Sequence, residues 1–259
     1  MRDHLANASH EFTMRDMARL FGICSFASRA LRMQTAEFFS IYKFIRRRAS
    51  RILLSSVPMW DAPANIWKTI IPEWIGWCDR LLKNEAVAHP DPHTQEHTFV
   101  LMTDASTFGW GAILFDEVTG QVYQVQGNWE KTFRSHDINY LEMRAVSNAL
   151  KHFAAELNAR PLDKILILVD NTSTWDVLHK GQAREYLFNG ALSKVLKSLQ
   201  GDRCTTVAYI PSADNLSDRL SRLGKKYTEQ ELTVLQSTLR ALGGLARSAL
   251  PVRVPSALG

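Results

Sequence analysis

The sequence predicts an α/β protein: a mixed five-stranded sheet flanked by helices, preceded by a smaller helical segment. Three observations carry this. Residues 98–129 hold three β-rich runs, "TFVLMTDAS", "FGWGAILF" and "QVYQVQGNW", separated by turns, and the third alternates with a period of two. "KILILVD" (164–170) is a continuous apolar run, as expected of a strand covered on both faces. Between them, "NYLEMRAVSNALKHFAAELN" (139–158) puts Met143, Val146, Leu150, Phe153 and Leu157 on one helical stripe.

Taken in order, residues 11–53 read as helical, because Leu20, Phe21, Cys24, Phe26, Ala27, Ala30 and Leu31 recur at helical spacing and no proline interrupts before Pro58. Residues 55–72, with three prolines and two tryptophans, read as a loop-rich connector, and "EWIGWCDRLLKN" (73–84) as a short helix. Residues 86–97 are polar and proline-broken and read as a linker between a first domain, 1–85, and a second, 98–224. His89, His93 and His97 are evenly spaced there, but Pro90 and Pro92 break the helix that could align them as metal ligands. Beyond residue 170, "TWDVLHKG" and "EYLFNGALSKVLKSLQ" read as helices, "RCTTVAYI" (203–210) as the fifth strand, and "DNLSDRLSRL" as a helix start with an Asn or Asp cap. The order is β-β-β-α-β-α-β-α. Residues 225–259 read as one more helix, "TEQELTVLQSTLRAL", followed by a disordered tail.

Composition narrows the function classes. Across 259 residues, 46% are hydrophobic and 22% charged, which suits a globular protein with a real core. No apolar run approaches the roughly 20 residues that a membrane helix needs, and "MRDHLANASHEF" has no apolar secretory core. Three scattered cysteines argue against a disulfide framework and for a reducing, intracellular setting, cytoplasmic or nuclear. The net charge of +5 is uneven: Lys43, Arg46, Arg47, Arg48 and Arg51 crowd into "YKFIRRRASR". Beside aromatic residues, such a cluster suits a phosphate backbone; the plainer reading is a solvated helix face.

Four acids stand out by position. Asp104 follows "FVLM", Asp170 ends "ILILV", Glu142 lies in the first turn of its helix, and Asp218 in the first turn of the last block's helix. A carboxylate at the end of a buried strand is costly unless paired or metal-bound, and no Lys or Arg lies within two residues of Asp104 or Asp170. Convergent carboxylates without Cys or His describe a hard-cation site suited to Mg²⁺ or Mn²⁺. Each acid also has a plain reading as a turn or capping residue. Asp214, four residues before Asp218, is open to the same two readings.

The blocks "TDAS…GWGAIL", "YLEMRAV", "VDNTST" and "YIPSADNLSDRLSR" resemble, in order and spacing, the signature blocks of the RNase H domain of retroelement reverse transcriptases. That resemblance spans about residues 98–223 and implies an RNase H-like fold with Asp104, Glu142, Asp170 and Asp218 as the catalytic, metal-holding acids. Its last block has the form P-G-x-x-N-x-x-A-D-x-L-S-R, met here by Pro211, Asn215, Asp218, Leu220, Ser221 and Arg222, with Ser212 and Ser217 in place of Gly and Ala. The match makes Asp218 the catalytic acid and Asp214 a cap or a solvated residue. "TMRDMARLFGICSFASRAL" and "PEWIGWCDRLLKN" resemble the thumb and connection region of these enzymes. "VDNTST" and this connection look closest to tyrosine-recombinase retroelements of the DIRS order, including VIPER-type elements. Two departures stand out. No His lies between Ile210 and Asp218, where many such domains carry one, and no Y-x-D-D-like pair of a polymerase is present, so the chain reads as part of a larger protein.

The resemblance implies hydrolysis of the RNA strand of an RNA–DNA hybrid with two Mg²⁺ ions (or Mn²⁺), one activating water and the other stabilising the leaving 3′ oxygen. A polymerase domain is the implied partner. Ser106, Asn171 and Thr172 adjoin the acids and are candidates for contacts to the hybrid backbone or its 2′-hydroxyls. Gly109 and Gly111 flank Trp110 and read either as a close approach to the hybrid or as a bulge. The basic residues of 43–51 are candidates for tracking the duplex. Two alternatives stay open on the sequence: an integrase- or transposase-like DNA nuclease on the same fold, and a catalytically idle module that binds nucleic acid or protein.

Overall fold

The computed structural model describes residues 12–31, 33, 38–55, 59–84, 98–133, 136–161, 163–181, 183, 185–199 and 205–248. The expected linker at 86–97 and the tail after residue 248 lie outside them. The chain divides into two compact units, Met1–Ala88 with Gly181–Gly190, and His89–Lys180 with Ala191–Gly259. Gly181–Gly190, read from the sequence as part of the second domain, groups with the first.

In the first unit, the expected single helix is two: α1 (Met14–Ala30) and α2 (Phe39–Leu53). α1 opens on a capping box in which the Thr13 hydroxyl accepts from the Asp16 amide and the Asp16 carboxylate accepts from the Thr13 amide. A 3₁₀ turn (Lys68–Ile70) leads into α3 (Ile71–Leu82), which carries proline in its first turn, where the missing N–H costs nothing. Met17, Ile41, Phe44, Ile70, Trp74 and Trp77 are buried together. Trp77 stacks on Phe38 at 4.9 Å and donates its indole N–H to the Ser28 hydroxyl at 2.7 Å, so its one polar atom is satisfied. Cys24 and Cys78, far apart in sequence, are hydrogen-bonded to each other, and that bond and burial push the Cys24 thiol up.

The second unit is a five-stranded sheet in the order β3-β2-β1-β4-β5. β1 (Phe99–Ala105), β2 (Gly109–Asp116) and β3 (Val122–Asn128) form an antiparallel meander. β4 (Ile165–Val169) and β5 (Thr205–Tyr209) run parallel to β1. β1 and β4 are buried along their whole length, which is why they read as continuous apolar runs. Its helices are α4 (Ile138–His152), α5 (Ala154–Asn158), α6 (Thr172–Lys180), the part of α7 (Tyr186–Ser198) from residue 191 on, α8 (Asp218–Ser221) and α9 (Glu229–Ser248), the residues of α7 up to Gly190 grouping with the first unit. The expected helix over 139–158 breaks at Phe153, yet all five residues of its apolar stripe are buried. α9 belongs to this unit: Leu239 and Ala246 pack with Val100, Met102, Ile113, Phe115 and Leu220.

The last sequence block differs from expectation. It is a 3₁₀ turn (Ser212–Asp214) followed by the one-turn helix α8, whose N-cap, Ser217, makes no side-chain cap bond. Asp214 is exposed, so it is solvated and caps nothing. Glu142 lies beyond the first turn of α4; the capping acid there is Asp137, which accepts from the Asn139 amide.

Candidate active site

Strand register places the first two acids. β1 and β4 pair in parallel from Phe99↔Ile165 to Met102↔Leu168, and continuing that register two residues brings Asp170 level with Asp104. The next residue of β1, Ala105, turns the other way and packs against Leu141 and Ala145 of α4. Glu142, one residue on from Leu141, reaches over the strand end, near enough to Ala105 for that residue's backbone N–H to favour its charged form. Carboxylate oxygens of Asp104, Glu142 and Asp170 all lie within 4.8 Å of one another. Asp104 is 6% and Glu142 5% exposed.

Burial and like charge both act on this cluster. Desolvation, followed by the nearby charges of Asp104 and Asp170, pushes the Glu142 carboxyl up to about 9. Desolvation likewise pushes Asp104 up to about 7, aided by Asp170 and Asp218 and opposed by the Ser221 hydroxyl and the Arg222 charge. A structural carboxylate in the same sheet looks different: Asp116 is equally buried, but Arg160 pairs with it at 2.7 Å and the Val118 and Thr119 amides donate to it. Glu142 Oε2, by contrast, is buried with no hydrogen-bond partner. An all-carboxylate donor set with an orphaned oxygen suits a hard divalent cation.

Asp218 stands outside the cluster of three. It approaches from α8 and is gripped by Arg222, whose Nε lies 2.9 Å from each of its carboxylate oxygens and whose Nη2 lies 2.9 Å from Oδ1. α8 itself is brought close by Gly111. A Cβ there would sit 2.4 Å from Leu220 Cβ and 2.6 Å from the Ser221 nitrogen. The two glycines therefore admit protein: Gly111 lets α8 approach, and Gly109 faces the Gly127 carbonyl at 2.5 Å from an added Cβ. Trp110, between them, is half-buried and lies over Gly127.

The other sequence candidates are placed as follows. Ser106 is committed internally: its hydroxyl donates to the Ser221 carbonyl at 2.7 Å and accepts from the Phe108 and Gly109 amides. Asn171 accepts from the Thr174 amide and donates to Asn139 Oδ1 at 2.9 Å, tying the β4 end to the start of α4. Thr172 is exposed at the start of α6. In the first unit, Arg46, Arg47 and Arg51 are exposed along α2, whereas Lys43 and Arg48 are half-buried. Arg48 donates to the Asn65 carbonyl at 3.2 Å and lies over Phe44, and Arg47 lies over Trp67. Three residues escaped the sequence reading as parts of the site: Asn139, Asn215 and Arg222. Asn215 donates to the Thr103 carbonyl and to Asp104 Oδ1 and accepts from the Ser217 amide, so it braces the acid directly. Its fixed place three residues before Asp218 was the available signal.

No family model matches the sequence, and no curated protein matches it. Solved structures similar to this chain are RNase H domains. One is the N-terminal RNase H domain of a Mycobacterium tuberculosis protein, solved as a fusion with maltose-binding protein; identity is 14%, TM-score 0.41, and the match covers 49% of this chain and 98% of that one. A second is an RNase H from Halobacterium salinarum, with 17% identity, TM-score 0.38 and coverage of 47% and 91%. A third, with 15% identity, TM-score 0.42 and coverage of 49% and 95%, was solved in complex with an RNA/DNA hybrid. At such identities and scores these are likenesses of outline; what this chain can do chemically rests on its own carboxylates.

Proposed function

We propose that the second unit hydrolyses the RNA strand of RNA–DNA hybrids in a metal-dependent reaction, as part of retroelement reverse transcription. The observation that carries this reading is the convergence of carboxylate oxygens of Asp104, Glu142 and Asp170 within 4.8 Å of one another. The sequence blocks that supply these acids add the substrate. Asp104, Glu142, Asp170 and Asp218 would hold Mg²⁺ or Mn²⁺, which when bound supplies a water of lowered pKa and charge to offset the developing oxyanion.

The chain's own residues do the positioning. Asn215, itself anchored on the Thr103 carbonyl, fixes the Asp104 carboxylate, and the Ala105 backbone N–H favours the charged form of Glu142. Asn139 and Asn171 join the two elements that carry Glu142 and Asp170. Thr172 is exposed beside them, available to a sugar hydroxyl or phosphate. Arg46, Arg47 and Arg51 on α2 supply exposed positive charge for a duplex backbone, and the first unit serves as the connection to a polymerase domain. The test is a substrate panel: labelled RNA–DNA hybrid, duplex DNA and single-stranded RNA, each with Mg²⁺ or with chelator. Cleavage of the hybrid RNA strand alone supports the proposal. Cleavage of duplex DNA points to an integrase-like nuclease, and binding without cleavage to an idle module.

A further inference from the structure

We infer that Arg222 is a built-in counter-cation that holds Asp218 out of the acidic cluster and must yield it when a divalent cation loads. This rests on the metal-dependent reading above. Among the described residues, Asp218 is the only one of the four acids with a guanidinium on its carboxylate. Nε is shared between both of its oxygens and Nη2 adds a second contact to Oδ1, so a metal approaching this carboxylate competes with the guanidinium for its lone pairs and its charge. The geometry is local, because Asp218 and Arg222 are four residues apart, straddling the single turn of α8. The other arginine of the block is occupied elsewhere: Arg219 pairs with Glu231, donates to the Lys225 and Lys226 carbonyls and lies over the Tyr227 ring. Arg222 carries none of these internal ties, and its side chain is 69% exposed, so solvent can replace its contact with Asp218.

The fork gives a divalent cation a competitor. An exposed pair of this kind contributes little, so exchange is cheap; the expected gain in metal affinity on removing Arg222 is up to about fivefold. Once released, the guanidinium is free to meet a phosphate of the incoming hybrid, so metal and hybrid loading become coupled through one side chain.

The experiment measures Mn²⁺ affinity of the full chain by electron paramagnetic resonance, without substrate, for wild type, Arg222→Ala, Arg222→Lys, Asp218→Asn and the double variant Asp218→Asn/Arg222→Ala. Arg222→Ala should bind Mn²⁺ more tightly than wild type. Arg222→Lys, which keeps charge but loses the fork, should fall between the two. The gain should shrink in the Asp218→Asn background, because the pair is then already broken. Equal gains in both backgrounds would reduce Arg222 to a diffuse charge and overturn the inference, as would unchanged or weaker binding in Arg222→Ala. Glu142→Gln separates this from the metal reading. If wild type binds Mn²⁺ and Glu142→Gln does not, the metal centre stands whatever Arg222 does. If wild type binds none, the centre and this inference fall together.

Discussion

Glu142→Gln should make the metal-free protein more stable at alkaline pH. The carboxyl is pushed from its ordinary 4.5 to about 9 by burial and by Asp104 and Asp170. A folded-state value above the unfolded one means that the folded chain binds the extra proton between the two values. Stability is therefore fully present below the unfolded value and is lost as pH rises toward 9. Each pH unit in that window costs about 1.4 kcal/mol, so moving from pH 5 to pH 8 removes about 4 kcal/mol through this one group. Asp104, raised to about 7, steepens the lower part of the window. Gln cannot ionise, still offers an oxygen to the Ala105 N–H, and presents an amide where Oε2 had no partner. The assay is urea unfolding in chelator at several pH values, with amide exchange of β1 and β4 reporting on this unit alone. Wild-type stability should fall with pH, the variant should be flatter, and the two curves should separate by several kcal/mol near pH 8. Added Mg²⁺ should restore wild type and do little for the variant. A wild-type curve that is flat or rises from pH 5 to pH 8, or a variant less stable than wild type at pH 8, would refute the reasoning.

Four further outcomes follow from the geometry. Asp104→Asn and Asp170→Asn should each abolish hybrid cleavage while leaving the fold as stable as before or more so, read by activity and by unfolding together. Asp214→Ala should leave both stability and cleavage near wild type, because the residue is exposed and caps nothing, whereas Asp218→Ala should lose cleavage with little change in stability. Gly111→Ala should destabilise by about 2 kcal/mol or more, since the new Cβ meets Leu220 at 2.4 Å and the Ser221 backbone at 2.6 Å; a neutral effect in urea would show that α8 is not held against β2 as described. Replacing Arg46, Arg47 and Arg51 together by Gln should weaken hybrid binding and reduce the slope of log affinity against log salt by about three; an unchanged slope would remove α2 from the duplex path.

Much of the sheet was legible because its signals are local. β1 and β4 are buried on both faces and read as apolar runs, and the α4 stripe recurs every three or four residues. Asp104 and Asp170 stand out because each follows such a run, where a charge needs a reason; Glu142 stands out as an acid placed in the first turn of its helix, although it lies one residue beyond that turn. What could not be read is what depends on contacts between distant residues. Asn215 braces Asp104 across more than a hundred residues; its place three residues before Asp218 marks it as part of the block but does not name its partner. Gly111 reads from the sequence as a close approach to substrate or as a bulge, because the sequence does not show that α8 fills the space. The break between α1 and α2 had no proline to mark it. The cap expected in "DNLSDRLSRL" takes another form for a related reason: the Asn215 amide nitrogen is spent on β1, and its oxygen accepts only from the Ser217 amide, ahead of α8.

The most direct test of the account is single-turnover cleavage of a hybrid labelled on its RNA strand, comparing wild type with Asp170→Asn in Mg²⁺ and in chelator. The account predicts RNA fragments ending in a 3′-hydroxyl for wild type in Mg²⁺ alone, and none from the variant or from chelated samples. Equal cleavage by Asp170→Asn, or cleavage that persists in chelator, would contradict it.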